Sequence, residues 1–265
     1  MEIADRDWKA VVHGLGLTAH LDSEAHARLR ALCGHFLARK TISGARGFEV
    51  TPLARAAVAF QACLPVLELG LEGYDDFVEV IVYPAQFLVP RKQVDDAGVV
   101  HESIDALSGE AMERGPVVLS WADVAPDAGE RGWSVAIHEF VHKLDMADGE
   151  ADGVPPLAPR ARARWRTALD AAYRAFCGQL DAAERAIPRY VDPESELADR
   201  YYAGLALDPY AATDPAEFFA VSGEAFFVVP EVLAGAYPDW YAALAGFFRQ
   251  DPAGQLDQRG THPIG

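Results

Sequence analysis

The stretch HEFVHKLD at positions 138–145 constrains this chain more than any other. His138 and His142 are four residues apart, so a helix projects both from one face. Two imidazoles so placed can bind one zinc ion. Glu139, beside the first, can reach a water on that ion and take its proton during attack on a carbonyl. An ordinary amphipathic helix with two solvated histidines would match the same three residues. The context favours the metal: Phe140 and Val141 lie inside the motif and would be costly on an exposed surface. Trp133, Ile137, Val141 and Leu144 also form an apolar stripe. The pattern predicts a helix from Gly132 to Met146, buried on one side, with its histidines turned towards a cleft.

A catalytic zinc normally takes three protein ligands and leaves one position for water. The remaining histidines are His13, His20, His26, His35, His101 and His262, and none follows the motif closely as in HExxHxxGxxH. The third ligand is therefore expected to be a carboxylate on a later helix. TDPAEFFAVSGEAFF, Thr213 to Phe227, offers one. Asp214 can cap a helix and Pro215 suits its first position. The rest is so apolar that Glu217 and Glu224, on nearly the same side, need a partner, which a metal would supply. A second account competes, because Asp214-x-x-Glu217 has the spacing of a capping box, in which Glu217 bonds a backbone N–H. Sequence mechanics leave Glu217 divided between ligand and cap. Asp145, one helical turn after His142, reads either as an acceptor that orients the imidazole or as an ordinary polar residue near the helix end. Glu224 is a candidate for the same supporting role.

Elsewhere the pattern predicts a helix over Ser23–Lys40 opening on a capping-box-like Ser23-x-x-His26, a short strand at Gly47–Thr51, and an Ala-rich helix over Leu53–Leu64. Phe77–Tyr83 and Pro116–Trp121 read as strands. After a Gly- and Pro-dense break at Asp148–Pro159, helices are expected at about Arg160–Leu180, Pro215–Val228 and Tyr237–Phe248. Strands early and helices late describe an α+β protein in one domain. A formal charge of −17 argues against nucleic-acid binding, which needs clustered Lys and Arg. No apolar run approaches the roughly 18 residues of a membrane span, and the N-terminus lacks the pattern of a signal peptide. Cys33, Cys63 and Cys177 are widely spaced with no CxxC, which predicts small buried side chains and a cytoplasmic setting.

HEFVHKLDMADG, the GVP that follows, and DPYAATDPAEFFAVSGEAFF together resemble the Mlc titration factor A family of bacterial zinc peptidases. QACLPVLELGLEGYDDFVEVIVYP and GPVVLSWADV carry the likeness upstream, so that it runs from the first predicted helix to about residue 251. The catalytic core of that family is similar to the lethal factor of anthrax, a gluzincin with an HExxH helix and a distant glutamate ligand. The resemblance implies a zincin-like single domain over 1–265, with an α/β part at about 1–130 containing a small mixed sheet. The HExxH active-site helix and a largely helical C-terminal half would occupy about 131–251, and a tail 252–265. It implies one Zn2+ per chain held by His138, His142 and Glu217, with Glu139 as general base. Tyr210 of DPYAATDP would hydrogen-bond the developing oxyanion.

The resemblance further implies hydrolysis of peptide or protein substrates, aminopeptidase-like on small ones, and a link to glucose-responsive regulation through a transcriptional repressor of the Mlc type. The alternative is a repressor-binding protein in which peptidase activity is secondary. The intact triplet His138, Glu139, His142 favours catalysis, since a structural zinc site needs no base and more often uses four ligands with Cys prominent. RYVDPESELADRYYAGLALD, residues 189–208, departs from the family pattern, which touches cleft shape and substrate preference rather than metal chemistry. Glu194 and Glu196 within it read as solvated.

Overall fold

The computed structural model describes residues 1–94, 100–107, 109–111, 115–126, 133–193 and 195–254. The expected helix start at Gly132, the solvation of Glu194 and the tail after residue 254 lie outside the described residues.

The chain divides into two compact units, the first made of Met1–Thr18 and Asp22–Phe140. Helix α1 (Asp5–Leu15) has no side-chain cap and was not among the expected helices, although its amphipathic spacing, acidic first turn and closing Gly16 are local signals of one. Helix α2 (Ser23–Arg39) starts after Asp22, whose Oδ1 accepts the Ala25 N–H at 2.8 Å. The cap is thus one residue earlier than the Ser23 box predicted. Strand β1 (Thr41–Gly44) follows, then helix α3 (Pro52–Cys63), capped by Thr51, with Pro52 in the first turn. The strand expected at Gly47–Thr51 is not built. Arg46 and Gly47 take φ values of 49° and 80°, a left-handed pair that turns the chain, and Thr51 is committed to the cap.

Strands β2 (Glu79–Tyr83), β3 (Phe87–Val94), β4 (Val100–Leu107), β5 (Gly109–Ala111) and β6 (Val117–Ser120) complete the β structure, followed by the single turn α4 (Trp121–Val124). The main sheet has the order β1-β2-β6-β5 and is mixed: β1, β2 and β6 are parallel, and β5 runs antiparallel to β6. β3 and β4 pair with each other in a separate antiparallel ribbon that the sequence reading did not foresee. Register aligns Ile42 with Val80 and Val80 with Val117, a buried row across three strands. Every residue of β6 is buried, which is why Val117–Leu119 is a continuous apolar run rather than an alternation, with the buried Ser120 closing the strand. An aromatic core gathers around Phe140, with Phe36, Tyr74 and Phe77 at centroid distances of 5.9, 5.5 and 6.2 Å. The buried Lys40 ammonium donates to the carbonyl oxygens of Tyr74 and Phe77, which satisfies a charge that would otherwise be prohibitive there.

The second unit is Ala19–Leu21 with Val141–Gly265. Helix α5 (Val135–Asp145) is continuous through the division. α6 (Pro159–Ala186), α7 (Asp199–Tyr202), α8 (Pro215–Val228), α9 (Pro230–Ala236) and α10 (Pro238–Phe248) follow. The prediction for α8 matches at both ends. α6 runs six residues beyond the expected Leu180, and α9 was not foreseen. A helix apolar nearly all round must be enclosed, and α8 is buried from Phe218 to Phe227. Trp165 of α6 packs edge-on against Phe219 at 5.1 Å and Trp240 at 4.7 Å. Each such ring contributes about 1.5–3 kcal/mol on burial. Ser222 avoids leaving an unsatisfied hydroxyl in this core: its Oγ donates to Phe218 O and accepts from Trp240 Nε1 at 2.8 Å. Among the described residues no helix is long and apolar enough to cross a membrane.

Candidate metal centre

Helix α5 carries the HEFVHKLD motif, and its beginning is fixed by buried polar contacts. Ser134 Oγ accepts from Ile137 N at 3.4 Å and donates to Gln61 Oε1 at 2.9 Å. Gln61, itself buried on α3, donates to Val124 O at 3.0 Å. Because Ser134 stands at the cap, Trp133 precedes the first turn and is half exposed, so it does not extend the apolar stripe as predicted. The buried stripe is Ile137, Val141 and Leu144, with Phe140 beside it. On the polar side His138 is partly exposed, whereas Glu139 and His142 are buried.

Glu217 reaches this helix from the first turn of α8. Asp214 Oδ1 accepts the Glu217 N–H at 2.9 Å, so the capping half of the box is real. The Glu217 carboxylate, however, faces elsewhere. Its Oε2 lies 3.2 Å from His142 Nε2, and its Oε1 accepts from Tyr210 OH at 3.2 Å. The cap is thus made by the Asp214 side chain on the Glu217 backbone, while the Glu217 carboxylate meets His142 and Tyr210 where the capping account expected a backbone N–H. His138, His142 and Glu217 each offer one ligand atom, and these atoms lie within 4.8 Å of one another, a group that could hold a metal ion.

Tyr210 sits on a 3-10 turn, Pro209–Ala212, half exposed. Asp208 Oδ1 accepts the Tyr210 N–H at 2.8 Å, and Tyr173 OH of α6 donates to Ala212 O at 2.9 Å, so the turn is tied at both ends. Helices α5 and α8 meet where Gly223 faces Val141: a Cβ at 223 would lie 3.0 Å from both Val141 methyl carbons. Glu224 is buried but stands outside the clustered residues.

Asp145 does not orient an imidazole. Its Oδ2 accepts the Gly153 N–H at 2.8 Å, and its buried Oδ1 has no hydrogen-bond partner. Burial pushes this carboxyl up to about 7, with the nearby charges of Asp152 and Asp148 adding to the effect and backbone hydrogen bonds from Gly153 and Val154 opposing it. Gly153, Gly223, Ser134, Gln61 and Tyr173 were all missed by sequence reasoning. Only Gly223, a glycine inside an apolar helix, carried a local signal of close approach. Cys33 and Cys63 are buried as expected, Cys177 only partly, and all three are free thiols.

The model of the glucose-regulated metallo-peptidase M90 family matches residues 1–249. Mlc titration factor A of Klebsiella pneumoniae subsp. pneumoniae is 36% identical over 263 residues, covering 99% of this chain and 92% of that protein. The proteins of the same name from Cronobacter sakazakii and Salmonella agona are each 37% identical, over 98% and 91% of this chain and 91% and 84% of their own length.

Proposed function

We propose, from the premise that the chain belongs to the glucose-regulated metallo-peptidase M90 family, that it is a zinc-dependent peptidase of the gluzincin type. The family match runs across both units, which supports reading 1–265 as one zincin-like domain. The observation that carries the proposal is the approach of Glu217 Oε2 to His142 Nε2 at 3.2 Å within the His138, His142, Glu217 group. Two donors about 2.0–2.1 Å from one tetrahedral zinc are roughly 3.4 Å apart, and two nitrogens with one carboxylate leave a fourth position open. The donor set fits a catalytic zinc, with His138, His142 and Glu217 as ligands.

A zinc ion held there supplies Lewis acidity to water and to a peptide carbonyl. The chain's residues do the rest. Glu139, buried beside His138, accepts the proton of the attacking water and passes it to the departing amine. Its seclusion from solvent strengthens that exchange. Tyr210 donates its phenol hydrogen bond to the developing oxyanion, and its present contact with Glu217 supports a place next to the ligands. The turn bearing it is tied by Asp208 and Tyr173, so the phenol is presented without ordering a loop first.

Small peptides with a free N-terminus are the proposed substrates, and the cytoplasm, with its free thiols, the proposed compartment. The name of the relatives supports a second reading alongside the first, in which the chain also engages a repressor of the Mlc type under glucose-responsive control. The test is Glu139→Gln, which keeps shape and removes the base. Zinc content should be unchanged while hydrolysis of N-terminally free peptides falls by at least roughly a hundredfold. Near-normal turnover by zinc-loaded variant would overturn the role of Glu139, and cleavage of blocked peptides as fast as free ones would overturn the aminopeptidase reading.

A further inference from the structure

Contacts within the second unit close into a ring that includes two of the proposed ligands. Asp145, the last residue of α5, is fully buried, and its Oδ2 accepts the Gly153 N–H at 2.8 Å. Gly153 stands at φ 76°, and its carbonyl accepts from Trp165 Nε1 at 2.7 Å. It abuts the first residue of α8: a Cβ added at 153 would strike the Pro215 carbonyl oxygen and lie 2.9 Å from the carbonyl carbon. Two residues further, Glu217 returns to His142, one turn before Asp145, at 3.2 Å. The ring therefore runs from His142 through Asp145, Gly153 and Pro215 to Glu217 and back.

We infer that Asp145 is a positioning residue for the metal centre, setting the distance between Glu217 and His142 through Gly153. The inference rests on the proposed zinc site. Two points are needed to fix the line of α8 against α5. Gly223 against Val141 supplies one near the middle of α8, and Gly153 against Pro215 supplies the other at its start. Phe218 and Phe219 hold α8 against α6 and α10. Losing the second point frees the start of α8 from the end of α5, and with it the distance from Glu217 to His142. A carboxylate in this place has a marked desolvation cost, visible in its raised proton affinity. Its backbone hydrogen bonds, from Gly153 and Val154, are spent on a loop whose other neighbour is the start of α8. The loop residue has to be glycine on two grounds, its left-handed φ and its lack of room for a side chain.

The experiment follows the transfer of Zn2+ from the zinc-loaded full-length protein to a chromogenic chelator. Asp145→Ala should release zinc about 10–100 times faster than wild type, the range seen when groups supporting metal ligands are removed. Asp145→Asn keeps an oxygen acceptor for Gly153 N–H and should stay within a few-fold of wild type. Gly153→Ala, which pushes against Pro215, should release zinc quickly even if Asp145→Ala does not fold. Leu233→Ala, a cavity in α9 outside the ring, controls for general loosening and should lower the melting temperature with release unchanged. Folded Asp145→Ala with wild-type release, Asn releasing as fast as Ala, or Leu233→Ala releasing equally fast would each overturn the assignment. His142→Ala separates this from the underlying reading. If it holds zinc as wild type does, the proposed site itself falls; if it loses zinc and Asp145→Ala does not, only the positioning role falls.

Discussion

Replacing Glu217 by alanine separates the ligand from the cap because the structure gives the two to different side chains. The cap belongs to Asp214, which accepts the Glu217 N–H at 2.9 Å. Asp214→Ala therefore loses about 1 kcal/mol, or roughly 2–4 °C in melting temperature for a chain of this size. That loss should be the same with zinc and with chelator. Glu217→Ala keeps the cap and removes the carboxylate 3.2 Å from His142. Zinc held at about 1,000 times its Kd stabilises the folded protein by about 4.1 kcal/mol, and a hundredfold rise in Kd cuts this to about 1.4 kcal/mol. The rise in melting temperature on adding zinc should accordingly shrink from about 8–16 °C to about 3–6 °C. Calorimetry of both variants at buffered free zinc, and again in chelator, reads the two quantities directly. If Glu217→Ala keeps the full zinc-dependent rise and merely melts lower, as Asp214→Ala should, the third ligand is not Glu217 and the argument from the 3.2 Å contact fails.

Tyr210→Phe should keep zinc and lower kcat about 10- to 100-fold with KM little changed, because an oxyanion contact strengthens in the transition state; steady-state kinetics showing a raised KM at constant kcat would make Tyr210 a binding residue instead. Asp145 has a folded pKa of about 7 against an ordinary 3.8, so the stability of its neutral form is fully present below about 3.8 and lost as pH rises through 7. In chelator-treated protein, Asp145→Asn should therefore gain about 2 kcal/mol relative to wild type between pH 5.5 and 8; a difference in urea stability that stays flat over that range contradicts the burial argument. Gly223→Ala should cost about 1–3 kcal/mol by overpacking against Val141 at 3.0 Å, and Val141→Ala in the same chain should recover part of it. Strictly additive losses in denaturant titrations would show that the two do not touch.

The readable parts of the sequence were those written locally. Asp214, Pro215 and the apolar run to Val228 fix α8 at both ends because a cap, a first-turn proline and a buried stretch are all neighbours in the chain. The histidine pair is legible for the same reason, since one turn of helix sets its geometry. Glu217 resisted because its backbone partner lies three residues away and its side-chain partner 75 residues away. Only the near one can be weighed from spacing. Gly47–Thr51 misled by composition, as its residues were taken up by a left-handed turn and a cap instead of a ladder. Trp133 misled by periodicity, which cannot tell a residue just before a helix from one inside it. The ring through Gly153 was invisible, because a glycine in a loop full of turn residues gives no hint that it abuts the start of a helix far along the chain.

Between α6 and the Tyr210 turn the described residues are joined largely by short turns; Val191, Ala198 and Leu207 are buried, while Tyr190 and Leu197 stand 87% and 68% exposed. Its downstream end is anchored by Asp208 and Tyr173 independently of what lies between. Substitutions at its exposed positions disturb few buried contacts, so drift there is cheap for folding, whereas Val191, Ala198 and Leu207 have to stay apolar. A lineage can therefore rewrite the ground just upstream of Tyr210 while the ring from His142 to Glu217 stays untouched.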